Sequence, residues 1–166
     1  MSLASDLLDQ AGTLAGLDPL KPKQASLRRA ISAAYYSLFH LLIDDAASRI
    51  TTNTAIQPYV ARSFSHAALK DSANKLIAQT KPSQAWPRPL LSLPVSPELI
   101  NVCNTFVDLQ SLRHSADYDT ATFFKRAQVI AAVSRAQAAH QDWAIARTTD
   151  NATVFLLQAA RLLPER

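Results

Sequence analysis

The chain has 166 residues, 48% of them hydrophobic and 18% charged, with a formal net charge of +4 and a sequence pI near 9.5. That length is about one domain's worth and enough to bury a core, and the balance of apolar and charged residues excludes an intrinsically disordered chain. The only glycines are Gly12 and Gly16, and the absence of Asn-Gly and Asp-Gly dipeptides excludes a β fold rich in tight turns.

Abundant alanine, the best helix former, points to an all-α chain. The single cysteine, Cys103, has no partner for an internal disulfide, which places the expected compartment as reducing and cytoplasmic. Residues Met1 to Gly16 carry Asp6 and Asp9 and no basic side chain, so no signal peptide is expected. The longest apolar stretch, Leu38 to Ile43, contains His40 and falls far short of the ~20 residues a membrane helix needs. Basic residues are scattered from Lys21 to Arg166. That leaves two alternatives: a solvated surface, or a basic patch assembled in three dimensions for an anionic partner such as RNA.

Hydrophobic periodicity predicts five or six helices in one domain spanning 1–166. The first covers about Leu3 to Ala15. The second covers about Lys23 to Ile50 and is the clearest, with Leu27, Ile31, Ala34, Tyr35, Leu38, Leu41 and Leu42 on one arc. The third is expected from about Pro58 to Gln79, with Val60, Phe64, Ala67 and Ala68 as its early apolar positions. Residues 81–97 then hold five of the nine prolines, together with Trp86, Leu90, Leu91 and Leu93. Proline cannot continue a helix, so this is a proline-rich extended loop before the fourth helix, either a lid or contact segment or a cover that patches the bundle. The fourth helix opens on a strong start signal, Ser96 as N-cap, Pro97 at the first helical position and Glu98 next to it, and runs to about Ala116. The fifth, Ala-rich, is expected from about Thr120 to Arg147. A short last helix covers about Asn151 to Leu163, with Asp150 as its cap.

Two helical faces do not read as plain core. On the fourth helix, Leu99, Val102, Cys103 and Phe106 lie on one arc, and the same arc one or two turns later carries Gln110, Arg113, His114 and Asp117. A buried unpaired charge is costly, so Arg113 needs a partner or a water-filled cleft, and Asp117 four residues on is within reach. A register-fixing Arg113–Asp117 pair and an anion-binding cleft are both compatible with this pattern. On the second helix, Arg29, Tyr36, His40 and Ile43 lie roughly opposite the core arc, either as a contact for another helix or another subunit or with Tyr36 and His40 simply packed inside the bundle.

Several chemistries are excluded. Glu98 and Glu165 are the only glutamates, too few for a di-iron bundle, and the sequence has no His-Glu-x-x-His, paired-cysteine or phosphate-loop motif and no Gly-x-Ser-x-Gly elbow. His66 and His140 have no acidic or Cys neighbour at ligand spacing. No metal or cofactor is therefore expected, and any catalysis has to come from Arg, His, Tyr and Asp.

The segment from Leu27 to His40, with its paired Tyr35 and Tyr36, resembles the first signature helix of HEPN-domain proteins, and Leu112-Arg113-His114-Ser115-Ala116-Asp117-Tyr118-Asp119 resembles their second. The resemblance covers about residues 5–145. It implies an antiparallel up-and-down bundle that dimerises and brings two copies of the second signature towards a shared cleft. It also implies one of three roles: a module binding RNA or a nucleotide, an inactive companion of a nucleotidyltransferase in a toxin–antitoxin or defence system, or a metal-independent ribonuclease. Carried over, Arg113 is the signature arginine and His114 the polar residue after it. Catalytically active members place a histidine about five residues after the arginine, where this chain has Tyr118. A catalytic base has to reach the 2′-hydroxyl, and an un-ionised tyrosine, with its ordinary pKa of about 10, is a poor one. The sequence thus nominates Arg113, His114 and Tyr118 for catalysis and Arg29, Tyr36, His40, Gln110 and Asp117 for binding. The expected function is RNA or nucleotide binding by a homodimer, with a ribonuclease toxin or a non-catalytic interaction bundle as alternatives.

Overall fold

The computed structural model describes residues 2–79 and 90–163, and among these the chain is entirely helical, without a strand. Seven helices follow in order: α1 (Leu3–Gly16), α2 (Gln24–Ile50), α3 (Gln57–Arg62), α4 (His66–Ala78), α5 (Pro97–Tyr118), α6 (Arg126–Ala146) and α7 (Asp150–Ala159). Short polar side chains start several of them by accepting an orphan backbone N–H. Ser2 accepts from Ser5 in a capping box, Ser65 from Ala68, Ser96 from Leu99 and Thr149 from Ala152.

α2 is the hub. It packs against α1, α3, α5, α6 and α7, and buried residues occupy nearly all of its circumference. One core cluster joins Tyr35, Leu38 and Leu42 of α2 to Leu99 and Phe106 of α5, Trp143 of α6 and Phe155 of α7. A smaller one joins Leu27, Ala30 and Ile31 to Ala116, Phe124 and Val129 at the other end of α2. Along α6, Ala132, Ala136, Ala139 and Ala146 are buried, and their small side chains let its backbone approach its neighbours closely.

The structure corrects four of the sequence expectations. The single helix expected from Pro58 to Gln79 is two, because Ser65 caps a new helix while Phe64 stays buried; the apolar rhythm runs through the break and hides it. The Ala-rich helix starts at Arg126 and not near Thr120. Asp119 accepts from the N–H groups of Ala121 and Thr122, and Gln24 exchanges two hydrogen bonds of 2.9 Å with the backbone of Phe124, so side-chain bonds displace helical ones here. The last helix is capped by Thr149 and ends at Ala159. Seven helices stand in place of five or six as a result. Pro82, Trp86, Pro87 and Pro89 of the proline-rich segment lie outside the described residues. In the described part, Leu91 and Val95 pack against the core, and Ser92 and Asn151 bond each other's backbone and side chain at 2.8 and 2.7 Å.

At its C-terminal half α2 carries a buried carboxylate, Asp45, which meets Arg49 at 3.0 Å and Arg147 at 2.5 Å. Burial pushes the Asp45 carboxyl up, but hydrogen bonds from Arg147 and Arg49 outweigh it and hold the group below the ordinary carboxylate range. A depressed folded pKa contributes stability that is present above the unfolded value of about 3.9 and is lost as pH falls through the folded value. Because Arg147 is half-exposed, the contribution is moderate. Asp45→Asn is expected to lower stability at neutral pH by roughly 2 kcal/mol. In urea titrations the gap between the two proteins should close as pH drops below about 4, and a gap that persists unchanged in acid would rule the ion pairs out as its source.

Candidate functional site

Around the N-terminal half of α2, several polar side chains find partners on the elements packed against it. Arg28 reaches the C-terminal end of α5, donating to the carbonyls of Ala116 at 2.7 Å and Asp119 at 3.0 Å, with its guanidinium 5.3 Å from the Phe124 ring centroid. Its positive charge meets the carbonyl end of a helix, where a cation is favoured. Ser32, one turn on, donates to Asp117 Oδ1 at 2.6 Å.

Asp117 in turn holds Arg113. Arg113 Nε lies 2.7 Å from Asp117 Oδ2, off the hydrogen-bond direction, so the two meet as an ion pair. Arg113 Nη2 donates to the Tyr36 hydroxyl at 2.8 Å. Three tyrosine rings surround the guanidinium, those of Tyr36, Tyr118 and Tyr35, at 5.3, 5.6 and 5.9 Å from Cζ to centroid. Burial works against the charge, but Tyr36, Asp117, Tyr118 and Tyr35 outweigh it and hold Arg113 above its ordinary pKa. Nη1 makes no hydrogen bond among the described residues, and unlike Nε it is not sealed from solvent.

A second pair adjoins this one. Tyr35, fully buried, places its hydroxyl 2.7 Å from Nδ1 of His66, the first residue of α4. The His66 ring packs against Phe39 at 4.1 Å and edge-on to Tyr36 at 5.8 Å between centroids, and Gln110 Nε2 donates to the His66 carbonyl at 3.3 Å. Burial pushes the Tyr35 phenol up. Burial, and then the charges of Arg113 and His40, push the His66 imidazole down.

The nominated residues therefore separate. Arg113, Asp117, Tyr36 and Tyr118 come together, and Gln110 joins them through His66. Arg29 is exposed beside them, without an ion-pair partner among the described residues, and lines concavities of about 440 and 390 Å³ on either side of Ser32 and Asp117. His114 is exposed and leans on Tyr118 at 5.2 Å, with no polar contact to the cluster. His40 is half-buried, edge-on to Phe39, and acts on the cluster only through its charge on His66. The face carrying Arg29 and Tyr36 packs against α1, whose Leu7, Gln10 and Leu14 share a concavity with them. Sequence reasoning missed Arg28, Ser32, Tyr35 and His66. The aromatic pair at 35–36 was the available signal for Tyr35, whereas His66 lies more than forty residues from Arg113 with no spacing to link them.

No group of three His, Cys, Asp or Glu side chains among the described residues could hold a metal ion, and no described helix is long and apolar enough to cross a membrane. A larger concavity of about 470 Å³ opens on a different flank of α5, lined by Leu112, Phe123 and Phe124 together with Ser115, Gln128 and Arg135. No family model, no curated protein and no solved structure matches the chain.

The side chains of Arg113 and Asp117 are 19% and 22% exposed, so water reaches the pair and replaces part of what a lost partner supplied. Arg113→Ala is expected to cost only about 1 kcal/mol in a denaturant titration. A loss of several kcal/mol would make the pair a structural element of the core instead.

Proposed function

We propose that the chain is a HEPN-like module that binds RNA or a nucleotide through a phosphate group at Arg113. The observation that carries this reading is the state of the guanidinium. Asp117 and Tyr36 fix two of its nitrogens, three tyrosine rings surround it, and Nη1 is left open. A fixed guanidinium with an unused donor is suited to an oxyanion, because its orienting entropy is already spent. Arg29 beside it adds an exposed cation to steer an anionic ligand. Tyr118, 65% exposed, presents a ring face on which a base can stack.

In this reading the bundle is antiparallel and up-and-down, with segment 81–97 as the loop ahead of α5. The module works as a cytoplasmic homodimer, as the companion of a nucleotidyltransferase in a toxin–antitoxin or defence system. The exposed ring of Phe123, in the turn after α5, is the surface that supports pairing. A metal-independent ribonuclease with Arg113 in its site is the second reading. His114, tilted against the Tyr118 ring that lies over the guanidinium, is the feature that favours it, and the absence of a polar contact from His114 to Arg113 ranks it lower.

End-labelled single-stranded RNA, incubated with wild type and with Arg113→Gln in the presence of chelator, separates the readings. Retention of intact RNA by wild type, weakened at least tenfold in the mutant, is the expected result. Arg113-dependent cleavage would establish the ribonuclease, and the absence of both binding and cleavage would leave a non-catalytic interaction bundle.

A further inference from the structure

The Tyr35–His66 pair has a consequence for the same site. The Tyr35 hydroxyl is buried, and His66 Nδ1 is the one hydrogen-bond partner recorded for it among the described residues. A buried hydroxyl proton goes to an acceptor when one is in reach, so Tyr35 donates and Nδ1 accepts. The tautomer follows from that assignment, with the ring proton on Nε2. His66 Nε2 makes no hydrogen bond among the described residues, and it is not sealed from solvent. It is therefore an open N–H donor, carried on a ring that packs against Tyr36, the residue holding Arg113 Nη2.

We propose that His66 Nε2 and Arg113 Nη1 together hold one phosphate group of the ligand, His66 as a second donor supplied by α4. This rests on the anion-binding reading of Arg113 and extends it to a residue outside both signature segments. The groups facing His66 are Tyr35, Tyr36, Phe39 and His40 from α2 and Gln110 and Arg113 from α5, with no carboxylate among its recorded contacts and charge interactions. Burial, and then the charges of Arg113 and His40, hold the free imidazole below its ordinary pKa, whereas a bound phosphate favours its protonation. Binding is then linked to proton uptake at Nδ1, and the 2.7 Å contact reverses, the ring now donating to the Tyr35 oxygen as the hydroxyl proton turns away. Affinity rises as pH falls through the interval between the free and bound titrations of His66 and levels off beyond it.

The test uses a short single-stranded oligoribonucleotide and four proteins: wild type, Arg113→Gln, His66→Asn and His66→Gln. Asparagine retains a polar atom near the Nδ1 position for Tyr35 and removes the outer donor, whereas glutamine supplies an outer donor that does not titrate. Dissociation constants are measured between about pH 8 and about pH 5.5. Wild type is expected to bind more tightly at the acid end. His66→Asn should bind about tenfold more weakly with no dependence of this kind. His66→Gln should recover most of the affinity at the alkaline end and also lose the dependence. Nitrogen NMR of the His66 ring in wild type reports the same event directly, since the Nε2 signal should move when RNA is added. Both His66 variants binding as wild type does, with the same pH profile, while Arg113→Gln fails, would overturn the role of His66 and leave Arg113 standing. Failure of wild type itself to bind would overturn both.

Discussion

Burial of α2 on nearly every side governs what the rest of this bundle can be. A helix of 27 residues, about 40 Å long, lies in contact with five others, and it is not made of apolar residues alone. Tyr35, Ser37 and Asp45 are each within its buried set, with Ser32 beside them and Tyr36 half-buried. A polar group removed from water is costly unless it is paired, so the surrounding helices have to supply partners at matching heights along α2. They do: His66 from α4 for Tyr35, Arg113 and Asp117 from α5 for Tyr36 and Ser32, His140 from α6 for Ser37, and Arg147, just past α6, for Asp45. These pairings fix the rotation and register of each helix more sharply than apolar packing can, because a shift of one residue would break several at once.

Most of those pairings are closed, with donors matched to acceptors. Arg113 is different because a guanidinium has five N–H donors and its two partners here occupy only part of them. Asp117 is itself shared with Ser32, which leaves it less able to satisfy the arginine completely. What remains is a cation held in one orientation with donor capacity to spare, next to an exposed arginine and an exposed tyrosine ring. The contrast with Arg28 is instructive. Both arginines sit at the α2–α5 seam, but Arg28 uses its donors on the carbonyls that end α5 and the following turn, so it serves the fold.

Periodicity and capping made much of this fold legible in advance. α1, α2 and α5 lie within two residues of their expected limits, because each combines an apolar stripe with a clear start or a proline-marked edge. The break between α3 and α4 was hidden because Phe64 keeps the apolar rhythm going across it, and the turn at 119–125 was hidden because Gln24, a hundred residues away, stabilises it. At the site, Arg113, Asp117 and Tyr36 were legible as polar residues on faces that should be apolar. His66 was not, since its relation to Tyr35 depends on how α4 docks, which local sequence does not encode. His114 was nominated from the same arc and from the resemblance, and the structure shows it exposed, because a helix turns 100° per residue and carries it away from Arg113.

In the proposed function, Arg113 is a pre-oriented guanidinium whose unoccupied donor takes a phosphate oxygen. The most direct measurement is nitrogen-detected NMR of the arginine side chains during titration with an oligoribonucleotide. Before ligand, the Arg113 Nε–H and Nη signals should be resolved and slowly exchanging, as expected of a side chain held by Asp117 and Tyr36. On titration its Nη signals should shift in step with ligand occupancy, ahead of those of Arg28 and Arg49, which the fold already engages. Shifts confined to other arginines, with the Arg113 signals unmoved at saturation, would rule Arg113 out as the phosphate ligand.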